Sequence, residues 1–210
     1  MASVVRPFRG VPAEDRLAQR RADLLDAGLD EVAEVGVAKL RMSTVCQRAG
    51  LTQRYFYEHF RNRDELLEAM IDAMIRDLLT GTVAAVEAQP SDLFARSQAA
   101  MDFFLTTIIE DPRLGRLYAE ADTLPSLAAR KATALTSYAE FATSQVISLY
   151  GTTDNDTQLR MRLAAQVIVS GHANTTLAWQ RGEIKLARTE YVDTIAKMFV
   201  DALLGIRNPA

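Results

Sequence analysis

Between Arg41 and Arg63 the chain reads RMSTVCQRAGLTQRYFYEHFRNR. Val45, Cys46 and Ala49 recur at helical spacing across Ser43–Ala49, which predicts a short amphipathic helix. Gly50 breaks it, and Leu51 and Thr52 lead into a second short segment, Gln53–Phe60. Two short helices joined by a few residues containing glycine make the helix-turn-helix pattern. The second segment crowds Gln53, Arg54, Tyr55 and Tyr57 into its first turns, with Leu51 and Phe56 as its packing residues. Arg and Gln have the donor geometry that reads guanine and adenine edges in a major groove, and Thr and Tyr hydroxyls reach phosphates. From Val37 to Arg63 six cations (Lys39, Arg41, Arg48, Arg54, Arg61 and Arg63) stand against one acid, Glu58. Such a local excess marks a surface for a polyanion.

These residues resemble the TetR family of bacterial one-component transcriptional regulators. The resemblance rests on Gly50, the short segment Thr52–Tyr57, the Tyr57-Glu58-His59-Phe60 signature, Arg63, and the Glu65-Leu66-Leu67 start of a long helix. It covers roughly the first third of the chain. The resemblance implies an all-α protein: an N-terminal three-helix helix-turn-helix DNA-binding domain, then a larger helical effector-binding and dimerisation body. It further implies a dimeric repressor that binds a palindromic operator and is released by a small molecule. The family often has Thr near the start of the second helix, contacting phosphate; here Arg41 and Met42 stand there. Ser43, Thr44 or Arg41 is expected to take over that contact. The DNA-contacting set is therefore Arg41, Ser43, Thr44, Thr52, Gln53, Arg54, Tyr55, Tyr57, His59 and Arg63. Arg63 opens a helix, where a cation opposes the macrodipole, so a phosphate partner would explain it.

Charge is unevenly distributed over the 210 residues. The net charge is −3, but residues 1–63 carry a net +3 and residues 64–210 a net −6. A basic head on an acidic body suits one part that binds nucleic acid and one that does not. Cys46 is the sole cysteine, which excludes an intrachain disulfide and reads as a small buried hydrophobe. The first residues lack the apolar core of a signal peptide, and no run of about eighteen apolar residues spans a membrane, so a cytoplasmic protein is expected. Two histidines, His59 and His172, lie far apart, and no Gly-rich phosphate loop or Gly-x-Ser-x-Gly elbow occurs. Asp154-Asn155-Asp156 lacks the glycine and terminal glutamate of a calcium loop. No enzyme activity, cofactor or metal is expected.

Residues 1–12, with Pro7, Gly10, Pro12, Arg6 and Arg9, read as a flexible basic arm. Residues 13–61 are the expected DNA-binding domain. Its first helix runs from Ala13 to Val35 on Leu17, Leu24, Gly28, Leu29, Val32 and Val35, with Gly36 as its stop. Residues 62–210 are the expected ligand-binding and dimerisation domain. Asn62 with Glu65 is a capping pair for a fourth helix reaching about Thr80. That helix starts at the DNA and ends in the body, so it is the natural mechanical link. Further helices are predicted from Ser91, as a cap, to about Glu110, from Asp111-Pro112 to about Ala121, from near Pro125 to Tyr150, and over about Thr157–Gln180 and Arg188–Leu204.

In the body, Phe103, Phe104, Tyr118, Tyr138, Phe141, His172, Asn174 and Trp179 are the candidate pocket residues, although an aromatic or polar residue of this kind, taken singly, is more often plain core. With no cation placed inside, the expected effector is largely apolar and neutral or cationic. Ala164, Ala165, Ile168 and Gly171 give one small-residue face, and Val192, Ile195, Phe199 and Leu203 an apolar stripe, for a homodimer contact. The alternative is a helical ligand carrier or enzyme whose basic head is incidental. Such a protein would not bind heparin with steep salt dependence.

Overall fold

Gly36 sits at φ +84°, and a chain that enters that region leaves the α-helix. It ends α1, Ala13–Val35, as its spacing predicts. The computed structural model describes residues 13–208; the expected basic arm, 1–12, lies outside the described residues. A 3₁₀ turn at Val37–Lys39 leads to α2, Met42–Arg48, and then to α3, Gln53–Tyr57. The tight turn between them uses Gly50 at φ +64°. α3 stops three residues short of the sequence expectation, because the chain turns at Glu58 to carry Phe60 into the core.

Asn62 Oδ1 accepts from the Glu65 amide at 2.9 Å and starts α4, Arg63–Glu87. This helix runs past the predicted end near Thr80. Gly81 does not stop it: a Cβ there would lie 2.0 Å from Phe103 Cζ, so the glycine admits an aromatic ring against the helix backbone. Asp92, rather than Ser91, caps α5 (Leu93–Glu110) by accepting from the Ala95 amide at 2.7 Å. α6 is Pro112–Glu120, followed by a 3₁₀ turn, and α7 is Pro125–Tyr150. Asp154 accepts from the Asp156 and Thr157 amides, so α8 begins at Asn155, within the predicted loop, and ends at Gln180. α9 is Arg188–Arg207. Among the described residues no strand occurs, and no helix is long and apolar enough to cross a membrane.

The helices divide into two compact units. The first holds α1–α3, α4 as far as Ala73, and Pro112–Leu127; the second holds Met74–Asp111 and the chain from Ala128. α6 follows the body's first helix in sequence, yet it belongs with α1. Arg113 donates to Asp26 and Asp30, both at 2.9 Å, and Arg116 donates to the Ala33 carbonyl at 2.7 Å. Glu120 accepts from the Val37 amide at 2.7 Å. Burial works to raise the Glu120 carboxyl, but the Arg116 guanidinium and the Val37 amide outweigh it and hold the group below its usual range. These contacts satisfy backbone groups left open where α1 ends.

The second unit is organised on an apolar cluster that includes Leu105, Val146, Met161, Ala165, Tyr191 and Phe199. At its centre the Tyr191 hydroxyl meets Thr175 Oγ1 at 2.8 Å, His172 Nδ1 at 3.2 Å and Thr176 Oγ1 at 3.3 Å. A buried tyrosine hydroxyl needs such partners, and here they join α8 to α9.

Candidate nucleic-acid interface

α3 is a single short turn with two faces. Phe56 is buried at 1% exposure and packs edge-on to Tyr57 and tilted to Phe60. That anchor turns Gln53, Arg54 and Tyr57 to solvent, Tyr57 at 55% exposure. Tyr57 thus keeps a ring contact with Phe56 while more than half of it stays open to solvent. Thr52 precedes the helix as its N-cap in extended conformation, but its side chain makes no capping bond and is exposed. Arg41 likewise flanks α2 without capping it, and Ser43 is exposed beside it. Thr44 is half-buried.

Three other members of the expected set have structural work. Tyr55 is half-buried under the Arg20 guanidinium, 4.4 Å from the ring centre, so it packs α3 on α1. His59 is half-buried beside Phe60, with Nε2 buried and without a hydrogen-bond partner. Burial first, and Arg20 and Arg21 next, hold its pKa below the ordinary histidine value, against the opposite pull of Glu58. Arg63 donates to the Ala38 carbonyl and to Asp64, both at 3.0 Å. Those two acceptors account for a cation at a helix start without requiring phosphate.

The basic run is also smaller than its residue count. Arg48 stays at the surface but is engaged there: it donates to Glu31 at 3.1 Å and also pairs with Glu34, both on α1. Glu31 is 3% exposed, so this pair neutralises a buried carboxylate. Sequence reasoning counts Arg48 as footprint; the acids three residues apart on α1 were the available signal. Lys39, Arg41, Arg54 and Arg61 remain exposed. Arg54 lies 3.7 Å from Glu58, a solvent-exposed pair that holds it weakly.

The body's predicted residues scatter. Tyr118 is buried in the first unit, and Asn174 is exposed on α8. Trp179 donates to the Leu186 carbonyl at 2.8 Å and stacks near Tyr191, which fastens the α8–α9 connection. Phe141 is half-buried on α7. Phe103 lies on Gly81, Phe104 lies 5.3 Å from the His172 ring, and the Tyr138 hydroxyl is buried. His172 is buried and pushed down to about 4, by burial against a smaller opposing effect of the Met101 carbonyl, so it stays neutral. Lys131 is buried as well, so the inference from an interior without a cation fails.

The expected dimer residues are largely spent inside one chain. Ala165, Val192, Phe199 and Leu203 are core, and Ala164, Ile168 and Ile195 pack against it. The face left apolar and exposed is a neighbouring one. On α8 it carries Leu159, Leu163 and Val167 at 63–67% exposure, continuing to Gly171, and on α9 Met198 at 54%. Their spacing of four places them on one stripe.

A helix whose packing anchor faces inward and whose Gln, Arg and Tyr face outward defines a helix-turn-helix DNA-binding protein. Residues 24–70 match the family described as bacterial regulatory proteins, tetR family. Residues 24–70 thus carry that family's DNA-binding domain, and the chain as a whole is similar to transcriptional regulators. It is 26% identical over 192 residues to the transcriptional activator FasR of Mycolicibacterium smegmatis, covering 90% of this chain and 85% of that protein. It is 33% identical over 82 residues to the regulator BetI of Burkholderia cenocepacia, spanning 39% of this chain and 42% of BetI. The regulator FadR from Bacillus subtilis, solved in complex with stearoyl-CoA, shares the fold with a TM-score of 0.69 at 16% identity, over 88% of this chain and 98% of FadR.

Proposed function

We propose that the chain acts in the cytoplasm as a dimer that binds a palindromic operator through α3 and represses transcription until a small molecule releases it. The outward set Gln53, Arg54 and Tyr57, fixed by buried Phe56, carries this reading. Thr52, Ser43, Arg41, Lys39 and Arg61 supply the surrounding phosphate contacts. One short helix reads few base pairs, so affinity and selectivity require two half-sites. The exposed stripe Leu159-Leu163-Val167 with Met198 supplies the contact between copies.

The effector is a largely apolar molecule taken up by the second unit. The stearoyl-CoA held by FadR supports a ligand with a long apolar part. Release works only through the ligand's preference for the conformation that does not fit DNA, a reciprocal coupling of about 1–3 kcal/mol. α4, which starts at Arg63 in the first unit and continues into the second, is the covalent route between them. The reading is tested with fragments selected by binding from the source genome. Leu163→Glu should give monomers in light scattering and lose operator binding together; a monomeric wild type at micromolar concentration with full operator affinity contradicts it.

A further inference from the structure

Glu58 is the one acid in the basic run from Val37 to Arg63, and it follows α3 directly, one turn beyond Arg54. An anion there opposes a phosphate backbone, so its presence needs a reason. The end of α3 does not favour it either, because an acid at a helix C-terminus opposes the macrodipole. Its two oxygens are shared between arginines from different helices. Oε1 lies 3.7 Å from Arg54 Nε, and Oε2 lies 3.9 Å from Arg20 Nη2 on α1. The two arginines differ in freedom: the Arg54 side chain is 87% exposed and that of Arg20 25%. Arg20 is held by its stack on the Tyr55 ring, 4.4 Å from the centre, and its Nε is buried without a hydrogen-bond partner. One cation thus ties the carboxylate to α1, while the other belongs to the face that α3 turns to solvent.

We propose that Glu58 is a positioning residue for operator recognition: anchored by Arg20, it holds Arg54 through Nε and leaves the two terminal nitrogens of that guanidinium for a guanine. This rests on the reading of α3 above and adds the residue that sets its selectivity. A guanidinium carries five donors in a rigid fork, of which guanine O6 and N7 take two. With Nε turned to Glu58, Nη1 and Nη2 are the prongs that remain for the base. A side chain as exposed as Arg54 otherwise samples many rotamers, and holding it beforehand lowers the ordering cost of the specific contact. Phosphate makes no such geometric demand and is repelled by the carboxylate, so the same acid weakens binding to other sequences. Both effects raise operator affinity relative to that for other DNA. The exposed pair is weak in the free protein, and water leaving the interface strengthens it on DNA.

The test measures discrimination, the ratio of operator to scrambled-duplex affinity at fixed salt, in the full chain by fluorescence anisotropy. Glu58→Gln keeps the shape of the side chain and should leave Tm unchanged. Its discrimination should fall about threefold, the effect of one exposed ion pair, with affinity for the scrambled duplex equal to or above that of the wild type. Added to Arg54→Ala, Glu58→Gln should leave discrimination where Arg54→Ala alone puts it. Arg20→Met keeps an apolar stem over Tyr55 but removes the charge; it should lower discrimination too, and add nothing to Glu58→Gln. Wild-type discrimination in Glu58→Gln overturns the proposal, whatever its Tm. A fall of the same size in the absence of Arg54 also overturns it, since the acid would then act by another route. An Arg20→Met effect that adds in full to that of Glu58→Gln overturns the anchoring by Arg20. In these cases a loss of operator affinity in Arg54→Ala leaves the reading of α3 standing. A wild type that does not prefer operator to scrambled DNA fails that reading, and the positioning with it.

Discussion

Both units join an apolar core to charged ties between helices, Arg188 to Asp102 in the second, but they differ in where those ties fall and in what the core leaves over. In the first, charged side chains cross between helices: Arg48 to Glu31 and Glu34, Arg113 to Asp26 and Asp30, Arg116 and Glu120 to the end of α1. Arg20 Nε and His59 Nε2, buried there without a hydrogen-bond partner, belong to side chains that reach solvent. In the second, an apolar cluster closes around the Tyr191 hydroxyl, and Thr82 and His172 are buried with polar atoms left over. A domain that presents a rigid surface to DNA gains from cross-ties at its edge. A domain that receives a ligand gains from polar groups the fold does not consume, because the ligand then supplies their partners.

The contrast is broken most strongly at Tyr191. Tyr191→Ala removes a side chain 2% exposed and its hydroxyl network, and should cost about 3–5 kcal/mol in urea unfolding followed by far-ultraviolet circular dichroism. A loss under about 1 kcal/mol would mean that the α8–α9 junction does not rest on it. In the first unit, Arg48→Ala leaves the Glu31 carboxylate, 3% exposed, without its cation and should lower the unfolding midpoint, while Arg48→Ala with Glu31→Gln should recover much of that. If the single variant kept full stability but lost operator affinity, Arg48 would belong to the DNA surface after all.

Acid sharpens the difference further. His172 has a folded pKa of about 4 against an ordinary 6.5, so it binds fewer protons folded than unfolded. Its share of stability is complete above about pH 6.5 and declines as pH falls towards 4. His172→Gln should flatten the stability profile over that window. A profile unchanged by the substitution would place the acid sensitivity elsewhere, for instance at Glu120, whose depressed carboxyl loses its contribution at lower pH, as the pH falls through its folded value.

Most of the fold is legible in the sequence, because periodicity and punctuation act locally. Gly36, Asn62 and Pro125 mark helix ends from their own chemistry. Gly81 misleads for a tertiary reason: Phe103 is brought onto it by a separate helix, and no local signal carries that. The outward face of α3 is equally legible, since one apolar residue, Phe56, sets the orientation of its neighbours. Tyr55 and Arg63 look identical in sequence to DNA contacts, but their partners, Arg20 and the Ala38 carbonyl, come from elsewhere in the unit. The body resists reading for the same reason. Apolar residues at helical spacing serve a core and an interface equally, and only packing separates buried Val192 and Phe199 from exposed Leu163 and Val167.

The central claim is that α3 reads DNA through Arg54 while Arg54, held only by its exposed pair with Glu58, adds little to the fold. Fluorescence anisotropy with the selected operator and with a scrambled duplex, at fixed salt, measures it for wild type and Arg54→Ala. The account predicts a loss of about 1–3 kcal/mol on the operator, a smaller loss on scrambled DNA, and an unchanged unfolding midpoint. Unchanged operator affinity in Arg54→Ala, or an equal loss on both duplexes, would contradict it.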